Sequence, residues 1–225
     1  QNAPMKIVTW NCNGAFRKKY QEIEKLNADI YVIQECENPE NTKGEYKNWA
    51  DRFEWYGDNK NKGLGIFAHK GAEIQRLDWQ DNGLQLFLPV RVNDQFNLVA
   101  AWTKQANSPT FRYIGQLWKY LELHKDKMAA CNTVLCGDLN SNKIWDVWDR
   151  WWNHSDVVRE LGDVKLQSLY HLATGEEQGL ESSPTFFLHR NLSKPYHIDF
   201  AFASVGMFNP KSNTVEIGNH SHWLE

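Results

Sequence analysis

Long apolar runs are missing from this chain, which excludes a bilayer-crossing helix of about 20 consecutive apolar residues within it. No secretory apolar segment precedes Met5 either. Cysteine is scarce. The four thiols, Cys12, Cys36, Cys131 and Cys136, form no C-x-x-C pair and fall mostly in or at the ends of strand-like apolar runs, so they read as buried thiols rather than disulfide staples or zinc ligands. A charge excess of one sign is also absent: the formal net charge is -3 with both signs interspersed, so no global basic field marks a nucleic-acid binder. No Pro/Ser-rich stretch, charge block or internal repeat divides the 225 residues. One domain over residues 5–225 is expected, with residues 1–4 a remnant of expression or the tail of a removed leader. The cytoplasm is the favoured compartment; a secreted or periplasmic location stays open if a leader preceded residue 1. No protein partner is readable.

Tryptophan, by contrast, is abundant, with 11 residues, and Trp145, Trp148, Trp151 and Trp152 crowd into one segment. Their helical spacing favours packing into a core over base stacking, in a region expected to be mainly helical.

Strand and helix patterns alternate irregularly. Lys6 to Trp10 reads as a strand; Phe16, Tyr20, Ile23 and Leu26 set a helix face; Ile30 to Gln34 is a second strand. Gly63 to His69, Ala72 to Leu77, Phe87 to Val92 and Phe96 to Thr103 read as further strands, the last pair closed by the turn Asn93-Asp94. Phe111, Ile114, Leu117, Trp118 and Leu121 mark a helix entered through Ser108-Pro109, and Thr133 to Cys136 is again a strand. Short strands are expected near Thr185 to Leu188, Ile198 to Ala203 and Thr214 to Ile217. The pattern suits an α/β (α+β) domain of two packed sheets with helices outside.

Three apolar runs stop on oxygen donors: the first at Asn11, the second at Glu35, and Thr133-Val134-Leu135-Cys136 at Gly137-Asp138-Leu139-Asn140. Asp199 interrupts a fourth. A polar side chain in such a place is costly without partners or work, although Asp and Asn after a strand are also ordinary turn formers and caps. Oxygen-only donors with few carboxylates suit magnesium, with manganese as a substitute, better than zinc.

Taken together, Thr9-Trp10-Asn11-Cys12-Asn13-Gly14, Ile33-Gln34-Glu35, Gly137-Asp138-Leu139-Asn140 and His197-Ile198-Asp199-Phe200 resemble, in order, the motifs of the endonuclease/exonuclease/phosphatase superfamily. Pro184-Thr185-Phe186 is similar to the short strand before the family's last Asp. The superfamily includes apurinic endonucleases, pancreatic deoxyribonuclease, neutral sphingomyelinases and inositol polyphosphate phosphatases. The resemblance implies a four-layer sandwich, two central mixed sheets covered on both sides by helices, with the site at one end. It implies Glu35 as principal magnesium ligand with Asn11 beside it, and Asn11, Asn13, Trp102 and His197 around substrate phosphate. Asp138 would activate the attacking water, Asn140 would hold that water or a phosphate oxygen, and Asp199 would buttress a histidine.

That histidine normally comes from a Ser-Asp-His motif, and none occurs here; the chain closes Asn219-His220-Ser221-His222-Trp223-Leu224-Glu225. The motif and a last strand are expected just past Glu225, with His220 or His222 the less favoured substitutes. His197 is expected to face away from Asp199. Trp102 stands where nuclease members often carry Tyr. Arg17-Lys18-Lys19 is either a phosphate contact or a solvated helix turn. The implied activity is magnesium-dependent hydrolysis of a phosphate ester by in-line water attack, with DNA or RNA as first-choice substrate. A phosphomonoester, lipid phosphate or sugar phosphate is the alternative. A non-catalytic phosphate-binding module is another, and a two-carboxylate glycosidase a weaker one.

Overall fold

The computed structural model describes residues 4–104 and 109–219. Its strands are β1 (Ile7–Asn11), β2 (Ile30–Cys36), β3 (Arg52–Asn59), β4 (Lys62–Ala68), β5 (Ile74–Arg76), β6 (Phe87–Val92), β7 (Phe96–Trp102), β8 (Thr133–Asp138), β9 (Leu166–Ser168), β10 (Phe186–Phe187), β11 (Pro195–Tyr196) and β12 (Asp199–Ser204). Four α-helices accompany them: α1 (Tyr20–Glu24), α2 (Ile114–Ala130), α3 (His154–Asp163) and α4 (Leu169–Thr174).

Two mixed sheets stack face to face. One has the order β1-β2-β4-β3 and the other β5-β6-β7-β8-β12-β9; β10 and β11 form a separate ribbon. Period-two alternation sorts the apolar side chains. Ile30, Val32, Leu64 and Ile66 of the small sheet meet Leu88, Val90, Leu98, Ala100, Val134 and Cys136 of the large one between the sheets. The intervening residues of the large sheet, Val99, Ala101, Leu135, Phe200 and Phe202, pack on α2 and α3. Tyr31, Ile33 and Phe67 of the small sheet pack outward on Phe16, Tyr20 and Ile23. Each large aliphatic or aromatic side chain fully buried here contributes roughly 1.5–3 kcal/mol, so three such layers hold the strand ends in place.

The hairpin forms at Asn93-Asp94 as expected, both residues in the left-handed region (φ 49° and 53°), and because Val92 pairs with Phe96 the loop holds three residues, 93–95. Several expectations are corrected. The strand Arg52–Asn59 carries no clean alternation and is read only from its pairing with β4. The first helix splits into a 3-10 turn at Phe16–Lys18 and α1. Helix α2 begins at Ile114, with Pro109 in the preceding bend; Ser108 lies outside the described residues. No strand forms over 214–217.

The tryptophan segment departs furthest. It is a 3-10 turn at Lys143–Trp145 followed by turns, and helix starts only at His154 behind the Asn153 capping box. Trp148 is 95% exposed, Trp151 62% and Trp145 44%, so three of the four indoles are surface groups rather than core.

Candidate active site

The site forms where β1, β2, β8 and β12 end together. In β8 the inward parity of Val134 and Cys136 passes to Asp138. Asp199, paired with Asp138 in the antiparallel register of β8 and β12, shares that face. Gly137 lets the strands close up: a Cβ there, at φ 146°, would stand 1.8 Å from the Ala101 carbonyl oxygen of β7.

Glu35 is placed by an irregularity. Ile30 and Val32 face the inter-sheet core while Tyr31 and Ile33 face outward, so simple alternation sends Glu35 outward too. The pairing of β2 with β4 instead shifts register between Gln34 and Cys36, and Glu35 takes φ 63°, the extra residue of a β-bulge. Its carboxylate is thereby re-aimed to the site. Asn13 (φ 54°) and Asn140 (φ 44°) are also left-handed, a conformation that Asn tolerates better than most residues.

Asn11 ties the cluster together. Its Nδ2 donates to Glu35 Oε1 at 3.1 Å and to Asp138 Oδ2 at 2.8 Å, while its Oδ1 accepts the Asn13 backbone N–H at 3.0 Å. Only one amide orientation satisfies all three bonds. Asp138 Oδ1 accepts the Asn140 N–H at 2.9 Å, and Asn140 Nδ2 donates to the Thr103 carbonyl at 3.0 Å. Thr185 Oγ1 accepts the Ile198 and Asp199 N–H groups at 3.0 and 3.1 Å, fixing the start of β12.

Burial pushes the Asp138 carboxyl up to about 6; Asn11 and the Asn140 N–H oppose this, and the Glu35 charge adds to it. Asp199 lies well above its ordinary value, chiefly through burial and then through Asp138 beside it, with Thr185 opposing. Two neighbouring buried carboxyls do not readily ionise together.

Glu35, Asp138, Asp199, Asn11 and Asn140 are thus brought together, with Asn13 at the exposed rim. Trp102 is buried in the inter-sheet core next to Asp138 in register, with Lys104 Nζ 4.9 Å from its ring. His197 faces away from the cluster. Its Nδ1 donates to the Ser183 carbonyl at 2.7 Å, its ring packs on Tyr170 and Phe200, and burial lowers its basicity. Among the described residues no histidine hydrogen-bonds Asp199; His220 and His222 lie outside them. Arg17 and Lys19 are structural: Arg17 Nη1 pairs with Glu37 at 2.5 Å, and Lys19 Nζ donates to the Cys12 and Gly14 carbonyls at 2.6 and 2.8 Å.

Three features carried no legible signal in sequence. Lys62 Nζ sits 3.0 Å from Glu35 Oε2, brought there by β4, the neighbour of β2 in the small sheet. Thr103 and Thr185 hold backbone around Asp138 and Asp199; Thr103 stands in no motif, and Thr185 is legible only as part of the Pro184-Thr185-Phe186 strand, not for this role. Third, a cavity of about 180 Å³ opens beside Asn140, lined by Trp145, Phe186, Leu188, Tyr196 and Ile198, with the Trp145 and Tyr196 rings 5.2 Å apart. A larger cavity of about 540 Å³ near Glu40, Lys47 and Arg52 contains none of these residues.

This architecture, two mixed sheets of four and six strands among the described residues with a polar site at their ends, is a fold shared with solved structures of exonuclease, AP endonuclease and TDP2 proteins. Among solved structures it is similar to a Neisseria 3' phosphatase, NExo, bound to product DNA hairpin, at 19% identity over 90% of this chain and 87% of that one, with TM-score 0.66. It is also similar to an AP endonuclease from Archaeoglobus fulgidus (16% identity, 89% and 87% covered, TM-score 0.64) and to truncated Caenorhabditis elegans TDP2 (13%, 89% and 83%, TM-score 0.60). At such identities the likeness is one of fold. No protein-family model and no curated protein matches the sequence.

Proposed function

We propose that the protein is a magnesium-dependent phosphodiesterase acting on nucleic acid. The observation that carries the substrate class is the aromatic cavity at Asn140. A phosphate held by the polar cluster has, directly beside it, an apolar slot flanked by Trp145 and Tyr196, which suits the flat or apolar part of a nucleotide. A sugar-phosphate substrate would instead call for hydroxyl-matching polar groups there. The NExo, AP endonuclease and TDP2 structures support the reading by fold analogy, and the NExo complex contains DNA.

The donor set fits a hard cation. Glu35 and Asp138 share the Asn11 amide, Asp199 stands opposite Asp138 and Lys62 pairs with Glu35. Among the described residues no group of three or more Asp, Glu, His or Cys is disposed to hold a metal, so magnesium would rest on one or two carboxylates and retained water, as this hard cation commonly does. Glu35 would hold magnesium, joined by Asn11 only once its amide turns Oδ1 away from the Asn13 N–H, and the ion when bound supplies Lewis-acid polarisation of a phosphoryl oxygen and charge stabilisation of the leaving oxyanion.

Asp138 accepts the proton of the attacking water. A carboxyl at about 6 is largely ionised at neutral pH yet basic enough for that transfer. Asn140, anchored through Thr103, offers a neutral polar group to the water or a phosphate oxygen without quenching that base. Asp199, pushed toward its neutral form by burial and by the Asp138 charge, leaves Asp138 as the base.

Magnesium-dependent hydrolysis across abasic DNA, plain duplex DNA, RNA, a phosphomonoester panel and sphingomyelin tests the proposal. Turnover of a nucleic-acid substrate that requires divalent cation and is lost in Asp138→Asn is expected. Turnover confined to phosphomonoesters or sphingomyelin would move the protein to the alternative class, and absence of any hydrolysis would favour a phosphate-binding module.

A further inference from the structure

We infer that Lys62 is the resident cation of the Glu35 carboxylate, and that it transfers to a substrate phosphate oxygen when a divalent cation takes Glu35. The inference rests on the reading above that Glu35 holds the cation.

Both oxygens of Glu35 are engaged: Oε1 accepts from the neutral Asn11 amide, and Oε2 faces the Lys62 ammonium at 3.0 Å. Of these two donors only Lys62 carries charge, so only it competes with a dication for the same oxygen. Two cations on one carboxylate repel at this range, since unit charges a few ångströms apart near a protein surface interact by several kcal/mol. Binding of the dication therefore requires the ammonium to leave.

The structure gives Lys62 the freedom to do so. It is the first residue of β4, just past the turn from Asn59, and its side chain is 50% exposed whereas that of Glu35 is 18% exposed. Its stem runs over Gly14, where a Cβ would meet Lys62 Cε at 3.2 Å, so the glycine leaves the path of the side chain open. The neighbouring cations cannot substitute. Arg17 is spent on Glu37, and Lys19 on the carbonyls of Cys12 and Gly14.

A released ammonium at the mouth of an acidic site finds its next counter-charge on the incoming phosphate. The exchange couples the two ligands: phosphate gives Lys62 somewhere to go and so favours the dication, and by linkage the dication favours phosphate by the same factor. Lys62 is thus a positioning and specificity residue for a charged phosphate rather than the proton-transfer group.

The test uses the full 225-residue chain and Mn2+ followed by electron paramagnetic resonance, with inorganic phosphate as second ligand, so that it does not depend on turnover. Wild type, Lys62→Met, Lys62→Arg and Glu35→Gln are compared after circular dichroism has established that each is folded. Lys62→Met should bind Mn2+ about fivefold more tightly than wild type, the size of a partly exposed ion pair, and Lys62→Arg should resemble wild type. Phosphate should tighten Mn2+ binding in wild type and lose that effect in Lys62→Met. Equal Mn2+ affinity in wild type and Lys62→Met overturns the competition, and phosphate coupling that survives in Lys62→Met overturns the transfer. Mn2+ binding that is absent throughout, or unchanged in Glu35→Gln, overturns the assignment of the cation to Glu35 itself, and the role of Lys62 falls with it.

Discussion

Asp138 and Asp199 stand opposite each other across the antiparallel pair of β8 and β12, with the ammonium of Lys62 held on a different carboxylate, that of Glu35. Burial raises both aspartates, the Glu35 charge adding to it at Asp138 and the Asp138 charge at Asp199. The arrangement costs stability, and the proposed catalytic role would account for that cost.

Asp138→Asn should therefore stabilise the protein while disabling it. The folded-state value of about 6 exceeds the unfolded 3.8, so the folded form binds more protons in between. The favourable contribution is complete below 3.8 and is lost as pH rises through about 6. The variant should gain about 2 kcal/mol in urea unfolding at pH 8 and close to nothing at pH 4. A gain that does not depend on pH would contradict the assignment.

Turnover by the wild type should fall on the acid side as Asp138 takes up its proton near pH 6. In Asp138→Asn the rate should drop by about 10²–10⁴-fold and this acid limb should vanish. A pH–kcat profile of the two proteins decides it, since an identical limb in both would assign it to another group.

Glu35→Gln and Asp138→Asn should separate two roles. The first should raise the magnesium concentration needed for half-maximal rate, whereas the second should mainly lower the maximal rate. Titrating metal against rate for both variants checks this, and equal metal dependence would count against the division of labour.

Gly137→Ala should be poorly tolerated, because its Cβ would overlap the Ala101 carbonyl oxygen, a backbone atom that cannot move without unzipping β7 from β8. A loss above about 3 kcal/mol, or failure to fold, is expected. Chemical denaturation with near-wild-type stability would show that the strands can separate locally.

Trp145→Ala should weaken binding of a short oligonucleotide by about 1–3 kcal/mol while leaving hydrolysis of a small phosphate ester nearly unchanged. Fluorescence anisotropy with a catalytically disabled background, set beside small-ester turnover, gives the comparison. Equal losses for both substrates would place Trp145 in the phosphate site instead of the cavity.

Sequence by itself determined most of the strand runs and the placing of Asn11, Asp138 and Asp199 at strand ends, because a polar group at the end of an apolar run is costly without partners. His197 turns away from Asp199, although two residues apart in a strand would share a face, because β12 begins only at Asp199. Tertiary structure decided the rest. Glu35 reaches the site only through a bulge whose register depends on β4, and Lys62 reaches it only because β4 lies beside β2, neither of which is encoded by local periodicity. The tryptophans show the converse: a helical spacing of large apolar groups argued for burial, yet the Asn153 cap and its preceding turns keep the segment non-helical and leave Trp145, Trp148 and Trp151 at the surface. Spacing fixes which residues can share a face; whether a face forms, and what covers it, is settled by long-range packing that a short window of sequence does not contain.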